Sequence, residues 1–426
     1  MIFLVQMSKM EYKNSGIFWQ PFIPKSWHVT RLKYILKKLS REKGADDELL
    51  VCSNSGDIKK RGDSRLGLVA NSNDIYQGVR SGDLLIHGMD TWHGAIAVSK
   101  FDGMCTPVVH VCDSSQNKEY VAAYLRNMAF QQIFKLISNG VRQNTSDFRS
   151  WDKLSRIPIP LPPLVEQEKI VSYLESKTSK INEAILAKGE QIKLLQELKE
   201  AEIANVVTRG LNPDEQMMDS EISWIGQIPA HWKVVRLKAI LRESKEKTSV
   251  DGGTLLSLSQ YTGIMPKDST NRMGMFEAES TVGYNIVHPG QFVMNIMLAW
   301  NGSYAVSDYE GVISPAYCVF DFNVDCEKKY FHYLLRLPAY SGAFKTQSKG
   351  IIDSRLRLYP QYFLAFRTIV PPIEEQRLIV DYIESKCNKV DSLISDLEAE
   401  IDYLKEYKQK LIADCVTGQI NVQREQ

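Results

Sequence analysis

The sequence predicts an α+β chain in which two mixed α/β domains are joined by two long antiparallel helices forming an intramolecular coiled coil, a pseudo-two-fold internal repeat. Three observations carry this. One block of motifs returns after 205 residues, a second returns after 209, and each second block opens a long segment with apolar residues at heptad spacing.

The first block is Ile23, Pro24, Trp27, Arg31, Leu32 and Lys33, which recurs as Ile228, Pro229, Trp232, Arg236, Leu237 and Lys238. In the second, Pro162, Pro163, Glu166, Gln167, Ile170, Val171, Tyr173, Glu175, Ser176 and Lys177 recur as Pro371, Pro372, Glu375, Gln376, Ile379, Val380, Tyr382, Glu384, Ser385 and Lys386. The stretches between the blocks keep nearly the same length while their sequences diverge. The period is domain-sized, and it divides the chain into a first domain at 12–160, a first helix at 161–211, a second domain at 212–369 and a second helix at 370–420. Residues before Tyr12 have no counterpart in the second half.

Within the domains a fainter echo runs at a constant offset. Gly82, Trp92, Gly94, Ala97, Val98, Ser99, Gly103 and Pro107 correspond to Gly290, Trp300, Gly302, Ala305, Val306, Ser307, Gly311 and Pro315. Residues 83–86, 95–98, 291–294 and 304–306 are short β-favouring runs punctuated by glycine, and read as strands. Because Trp92 and Trp300 are kept in both copies, they read as core or turn-packing residues.

The helices follow from periodicity. Val390, Ile394, Leu397, Ile401, Leu404 and Leu411 hold a coiled-coil rhythm over three heptads, and Ile181, Ile185, Ile192 and Leu195 hold the same phase, with Lys188 interrupting where Leu397 stands in the other copy. The Pro-Pro pairs sit where a missing amide donor does least harm, and Gly210 and Gly418 supply stops. Each stripe needs a partner, and the two stripes supply one another.

At 44% hydrophobic and 24% charged the composition is that of a globular chain. No apolar run approaches the roughly 20 residues that span a bilayer, so the chain is expected in the cytoplasm with no membrane contact. The seven cysteines show no Cys-x-x-Cys spacing and read as structural thiols. His87, His93 and His110 lie near Cys105 without a tight ligand pair, so no metal is expected.

Net charge is only +1, but it is unevenly spread. Residues 162–210 hold 7 basic against 8 acidic residues, and residues 371–418 hold 6 against 11, so the rest of the chain is net basic. The basic residues gather in stretches that read as loops: Lys59, Lys60, Arg61, Arg65, Arg80 and Arg142 in the first domain, and Lys245, Lys247, Lys267, Arg272, Lys345, Lys349, Arg355 and Arg357 in the second. Lys and Arg among Gly, Ser and Asn are what phosphate contact and base-edge reading require. Residues that read different sequences must differ between the copies, which directs attention to 53–73, 258–276 and the stretches after Gly140 and Gly350.

The Ile-Pro-x-x-Trp with Arg-Leu-Lys, the Pro-Pro-x-x-Glu-Gln opening a long helix, the Tyr-x-Glu-Ser-Lys and the closing Val416-Thr417-Gly418 together resemble the specificity subunit of type I restriction-modification systems, over essentially the whole chain. The resemblance implies that the two domains are target-recognition domains for double-stranded DNA, each reading half of a bipartite, asymmetric, gapped site. It implies that the helices are spacers docking two modification (methyltransferase) subunits and the restriction (ATP-dependent endonuclease and translocase) subunits. S-adenosylmethionine, ATP and Mg then belong to those partners, and none is bound by this chain. No catalytic residue and no metal ligand is implied here.

Enzyme classes find little purchase. There is no Gly-x-x-x-x-Gly-Lys-Ser/Thr loop. The Pro-Pro pairs follow Leu161 and Val370 rather than the Asn or Asp of an amino-methyltransferase loop. Pro213, Asp214, Glu243 and Lys245 can be forced into a nuclease pattern, but Glu-x-Lys recurs at Glu175 and Glu197 on helices. A scaffold without DNA contact is the other class, and salt-dependent DNA affinity separates it from a reader.

Overall fold

The computed structural model describes residues 11–62, 75–138, 148–267, 280–350 and 355–422. It divides into two compact units, one of residues 1–189 with 398–426 and one of residues 190–397.

The first unit opens with the antiparallel hairpin β1 (Tyr12–Ile17) and β2 (Gln20–Pro24), then β3 (His28–Arg31), the turn α1 (Leu32–Ile35) and β4 (Leu36–Lys38). A second hairpin, β5 (Leu50–Cys52) and β6 (Ile58–Lys60), precedes β7 (Gln77–Val79), β8 (Leu84–His87), β9 (Ile96–Val98), β10 (Gly103–Cys105) and β11 (Val109–Ser114). Helices α2 (Lys118–Phe130), α3 (Ile133–Ile137) and α4 (Trp151–Ser155) lead to β12 (Pro158–Leu161) and the long α5 (Leu164–Arg209). The main sheet runs β4-β11-β8-β9, all antiparallel, while β12 returns to pair with β3.

β8 is apolar on both faces because both are covered. Leu84 and Ile86 face the core built on α2, whereas Leu85 faces a smaller cluster with Leu50, Val79 and Val111. The expected run at 83–86 is displaced by one residue for a physical reason. Asp83 is a turn residue, its carboxylate accepting from the Arg80 amide at 2.8 Å and from Arg41.

The second unit repeats the plan. It contains β13 (Met217–Asp219), β14 (Gln227–Pro229), β15 (Lys233–Arg236), β16 (Leu241–Ser244), β17 (Leu256–Ser259), β18 (Gly263–Pro266), β19 (Asn285–Val287) and β20 (Phe292–Asn295). These are followed by β21 (Tyr304–Val306), β22 (Gly311–Ile313), β23 (Tyr317–Phe322), α6 (Lys328–Leu335), α7 (Pro338–Gln347), α8 (Pro360–Phe363), β24 (Arg367–Val370) and α9 (Ile373–Val416). Its main sheet runs β16-β23-β20-β21 and β24 pairs with β15, strand for strand as in the first unit. The aromatic core is denser here, with Phe292 stacked on Phe363 at 5.5 Å and Phe320 and Phe344 around them. The helices trade length. α2 has 13 residues and α3 five, whereas α6 has eight and α7 ten, started by a proline at its first turn.

The repeated motifs are consumed by this frame. The Trp27 indole N–H donates to Glu166 Oε1 at 3.0 Å, and that of Trp232 to Glu375 Oε2 at 3.0 Å. Gln167 accepts from the Asn117 amide at 3.0 Å and donates to Pro162 O at 2.8 Å, and Gln376 does the same with Glu327 and Pro371. Both glutamines are buried, so each satisfies backbone groups at a helix start that water cannot reach. Tyr120 donates to Val416 O at 3.2 Å and Tyr330 to Val207 O at 2.9 Å, tying each unit to a helix end. Gly210 and Gly418 follow those ends at φ of 76° and 74°, the left-handed conformation that glycine adopts without strain.

α5 has 46 residues and α9 has 44, about 69 and 66 Å at 1.5 Å per residue. They pair antiparallel. In the first unit Lys408 donates to Asn182 at 2.8 Å and Lys188 pairs with Glu400, while in the second Lys199 pairs with Asp391 at 2.7 Å. As the residue number rises on one helix it falls on the other. Ile181, Ile185, Leu404 and Leu411 join the first unit's core, and Ile192, Leu195, Val390, Ile394, Leu397 and Ile401 are half-buried along the stripe. Lys188, the interruption in the apolar rhythm, thus finds a carboxylate. Among the described residues no helix is long and apolar enough to cross a membrane.

Candidate nucleic-acid interface

With the shared motifs buried in the frame, the side chains left to meet a ligand are those on loops and edges. Lys59 and Lys60 were expected in a loop but lie on β6, because residues 50–60 fold as a hairpin pairing Leu50 with Lys60 and Cys52 with Ile58. Both lysines are exposed. Lys60 forms an ion pair with Glu48, and its Nζ stands 5.8 Å from the Phe101 ring centre. Arg61 continues the strand direction, its amide donating to Leu49 O at 2.9 Å.

Arg80 is engaged internally. Its guanidinium lies 3.2 Å from Asp47, and its amide donates to Asp83. The Gly44 amide and then Arg80 hold the Asp47 carboxyl below its usual value, and the Asp83 carboxylate raises the pKa of Arg41. These two pairs fasten the segment between β4 and β5 onto the turn before β8.

In the second unit Lys245 and Lys247 are exposed just beyond β16, the latter bridged to Asn285. Lys267 is exposed after β18, its amide donating to Leu255 O at 2.8 Å. Lys349 and Arg357 exchange backbone hydrogen bonds of 2.8 and 2.9 Å, which sets Lys349 opposite Arg357, two residues after Arg355. The Lys349 ammonium stands 5.1 Å from the Tyr362 ring centre, and that of Lys345, on α7 rather than in a loop, 5.1 Å from Trp300. Arg65, Arg142 and Arg272 lie outside the described residues.

The sequence reading did not single out Lys135 or Arg126. They help line a cleft of about 680 Å³ in the first unit, together with Asn54, Trp92, His93 and Lys408. Arg126 donates to Ile96 O at 3.0 Å and burial lowers its pKa, so it is partly a structural residue. Lys135 is exposed and its ammonium stands 4.3 Å from the Trp92 ring centre. The available signal was a short echo, Phe-Lys-x-x-Ser-x-Gly, at Phe134 and again at Phe344.

The arrangement suits anion contact better than covalent chemistry. Burial pushes the thiols of Cys52, Cys105, Cys112, Cys318 and Cys326 up to about 12, which keeps them protonated and poorly nucleophilic. Among the described residues no three metal-ligating side chains converge.

Comparison with known proteins gives a consistent picture. Residues 94–192 match the type I restriction modification DNA specificity domain. The chain is 23% identical to the MjaX protein of Methanocaldococcus jannaschii, assigned as a type I restriction enzyme specificity subunit, over 99% of this chain and 100% of that one. It is also 23% identical to the MjaVIII specificity subunit of the same organism, over 62% and 63%. Among solved structures, a chain from work on complex assembly and conformational transition of the type I R-M system superposes with a TM-score of 0.68 at 16% identity, over 93% and 99% of the two chains. The HsdS subunit from Thermoanaerobacter tengcongensis superposes at 0.51 and 16% identity, over 93% and 98%.

Proposed function

We propose, for a chain that belongs with the specificity subunits of type I restriction-modification systems, that each unit reads one half of a bipartite, asymmetric, gapped DNA site. The chain is a non-catalytic recognition subunit. The observation that carries the proposal is the pairing of identical strand order with divergent basic surfaces, β4-β11-β8-β9 against β16-β23-β20-β21. A shared frame presents Lys59, Lys60 and Arg61 in one copy, and Lys245, Lys247, Lys267, Lys349 and Arg355 in the other, so the two half-sites differ and the whole site is not palindromic.

In this reading α5 and α9 are the spacer, and their outer faces dock two modification subunits and the restriction subunits in a cytoplasmic complex. Support comes from large apolar side chains left exposed on the helices, Leu186 at 73%, Leu198 at 59% and Tyr403 at 68%. S-adenosylmethionine, ATP and Mg act in those partners, and extrusion of the target adenine takes place in the methyltransferase.

The test is methylation mapping of DNA from cells expressing the chain with a cognate modification subunit, by sequencing that detects N6-methyladenine. A gapped, asymmetric motif that disappears without this chain is the expected result. With a partner shown to be active, an unchanged methylation pattern would reject the reading. Exchanging residues 14–155 for another reader should alter one half-site only.

A further inference from the structure

We infer that Arg126 and Arg336 are positioning residues, one in each unit, that fix a DNA-reading hairpin on the sheet by holding its backbone and leaving its side chains free. The inference rests on the DNA-reading proposal and names what holds the reading surface in place.

The hairpins β5–β6 and β17–β18 correspond. Cys52 pairs with Ile58 in one and Leu258 with Ile264 in the other, with five residues between the partners in each copy. The loops share only their first serine, Ser53-Asn54-Ser55-Gly56-Asp57 against Ser259-Gln260-Tyr261-Thr262-Gly263, and they lie in the stretches where readers of different sequences must differ. Against each tip lies a half-buried arginine, Arg126 in α2 and Arg336 directly after α6, each six residues beyond the repeated tyrosine Tyr120 or Tyr330. Arg336 donates through Nη1 to Tyr304 O at 2.8 Å, and through Nη2 to Gln260 O at 2.6 Å and Tyr261 O at 3.3 Å. Arg126 donates through Nη1 to Ile96 O at 3.0 Å and reaches Gly56 O at 3.5 Å. Its stem carries the tip as well, since a Cβ on Gly56 would come within 2.6 Å of Arg126 Cδ. Ile96 and Tyr304 stand on the edge strands β9 and β21, so each guanidinium bridges the edge of the main sheet to the tip of the hairpin.

Among the described residues neither arginine forms an ion pair with a carboxylate, and burial lowers the pKa of both. A half-buried cation without a counter-charge is costly where an apolar side chain would fill the same space. What the guanidinium supplies is a planar fork of donors that serves carbonyls on two separate segments at once. Every residue type presents the same carbonyl, so this grip is indifferent to the sequence of the loop, whereas a side-chain latch would constrain the positions that have to vary. Reading demands such a grip, because side chains that meet base edges must be placed to within about 0.5 Å.

The test uses the full chain assembled with its modification subunits, with amide hydrogen exchange measured without DNA and affinity measured on duplexes carrying the mapped site or single mismatches. An intact half-site should bind about 5- to 150-fold more tightly than one with a mismatched base pair. Arg336→Gln should speed exchange in β17–β18 about tenfold or more while sparing β16, β20 and β23, and should cut the mismatch penalty to about a third or less at one half-site alone. Arg126→Gln should do the same for β5–β6 and the other half-site. Arg336→Lys keeps the charge but loses the fork, and should show the same one-sided loss. Replacing Gln260 and Tyr261 together by alanine keeps both carbonyls and should leave exchange in β17–β18 unchanged; faster exchange there would overturn the backbone grip without recourse to any arginine variant. Mismatch penalties that stay at wild-type values when exchange rises would make the arginines purely structural and overturn the inference alone. A uniform loss of affinity for all sequences with a shallower salt dependence would overturn it too, making them phosphate contacts. A wild-type complex with no mismatch penalty would overturn both the inference and the DNA-reading proposal.

Discussion

Trp27 and Glu166 lie 139 residues apart in the chain and meet through one hydrogen bond, the indole N–H donating to the carboxylate at 3.0 Å. The indole is 1% exposed, so its N–H has no water to turn to. Glu166→Leu should therefore cost about 1–3 kcal/mol, the penalty of an unsatisfied buried donor. Glu375→Leu should cost a similar amount through Trp232. Thermal or urea unfolding of each variant measures this, and a loss below about 0.3 kcal/mol would show that the bond contributes little.

The two helix-ending glycines should respond differently to the same substitution. A Cβ on Gly418 would sit 2.6 Å from the Pro24 ring and 3.1 Å from Trp27, neither of which can move aside cheaply. On Gly210 it would sit 2.8 Å from Glu375 Oε1, the end of a flexible side chain. Both variants bear the strain of a non-glycine residue at positive φ, about 1 kcal/mol. Gly418→Ala should then lose a further 1–3 kcal/mol or so from the clash and be the worse of the two. Equal losses by calorimetry would count against this account.

The helix register can be checked by exchanging charges. Lys188→Glu faces Glu400 with a like charge and should destabilise the chain by about 0.2–1 kcal/mol, since the pair is partly exposed. Adding Glu400→Lys should restore most of that loss. A double-mutant cycle with no coupling would exclude the pairing in solution.

One pH effect is built into the second unit. His332 is half-buried, and desolvation first, then the nearby charges of Arg336 and Lys329, hold its imidazole down to about 4, while its Nδ1 accepts from the Val306 amide at 3.2 Å. Unfolding raises this value back toward 6.5. The unfolded chain thus takes up the proton first as pH falls. The histidine's contribution is complete above pH 6.5 and is lost between there and about 4, amounting to about 3 kcal/mol. His332→Gln should flatten the pH dependence of melting temperature across that window, and an unaltered dependence would assign it to other groups.

Much of the frame was legible because repetition checks itself. Leu84, Ile96, Phe292 and Tyr304 sit in strands within one residue of the expected bounds, since turn glycines and apolar runs are local signals. The helix stripe was legible for the same reason. What stayed hidden depended on partners distant in sequence. Arg80 reads as a free cation until Asp47 is seen against it, and Lys60 reads as a loop residue until Leu50 pairs with it. Lys135 carried a sequence echo, but its contact with Trp92, 43 residues earlier, needed the fold.

The first unit is discontinuous. Its core includes Leu411, Cys415, Val416 and Val422, and Tyr12 donates to Gly418 O at 3.1 Å, whereas the second unit is a single run of chain. Synthesis proceeds from the other end. The part made first is therefore the last able to finish folding, waiting for residues 398–426 to leave the ribosome while the later-made unit closes without them. A chain stopped after Leu397 should keep a protease-resistant second unit and lose the first, and the reverse pattern of fragments would refute this order. A frameshift or early stop just before residue 398 thus strikes the unit made first.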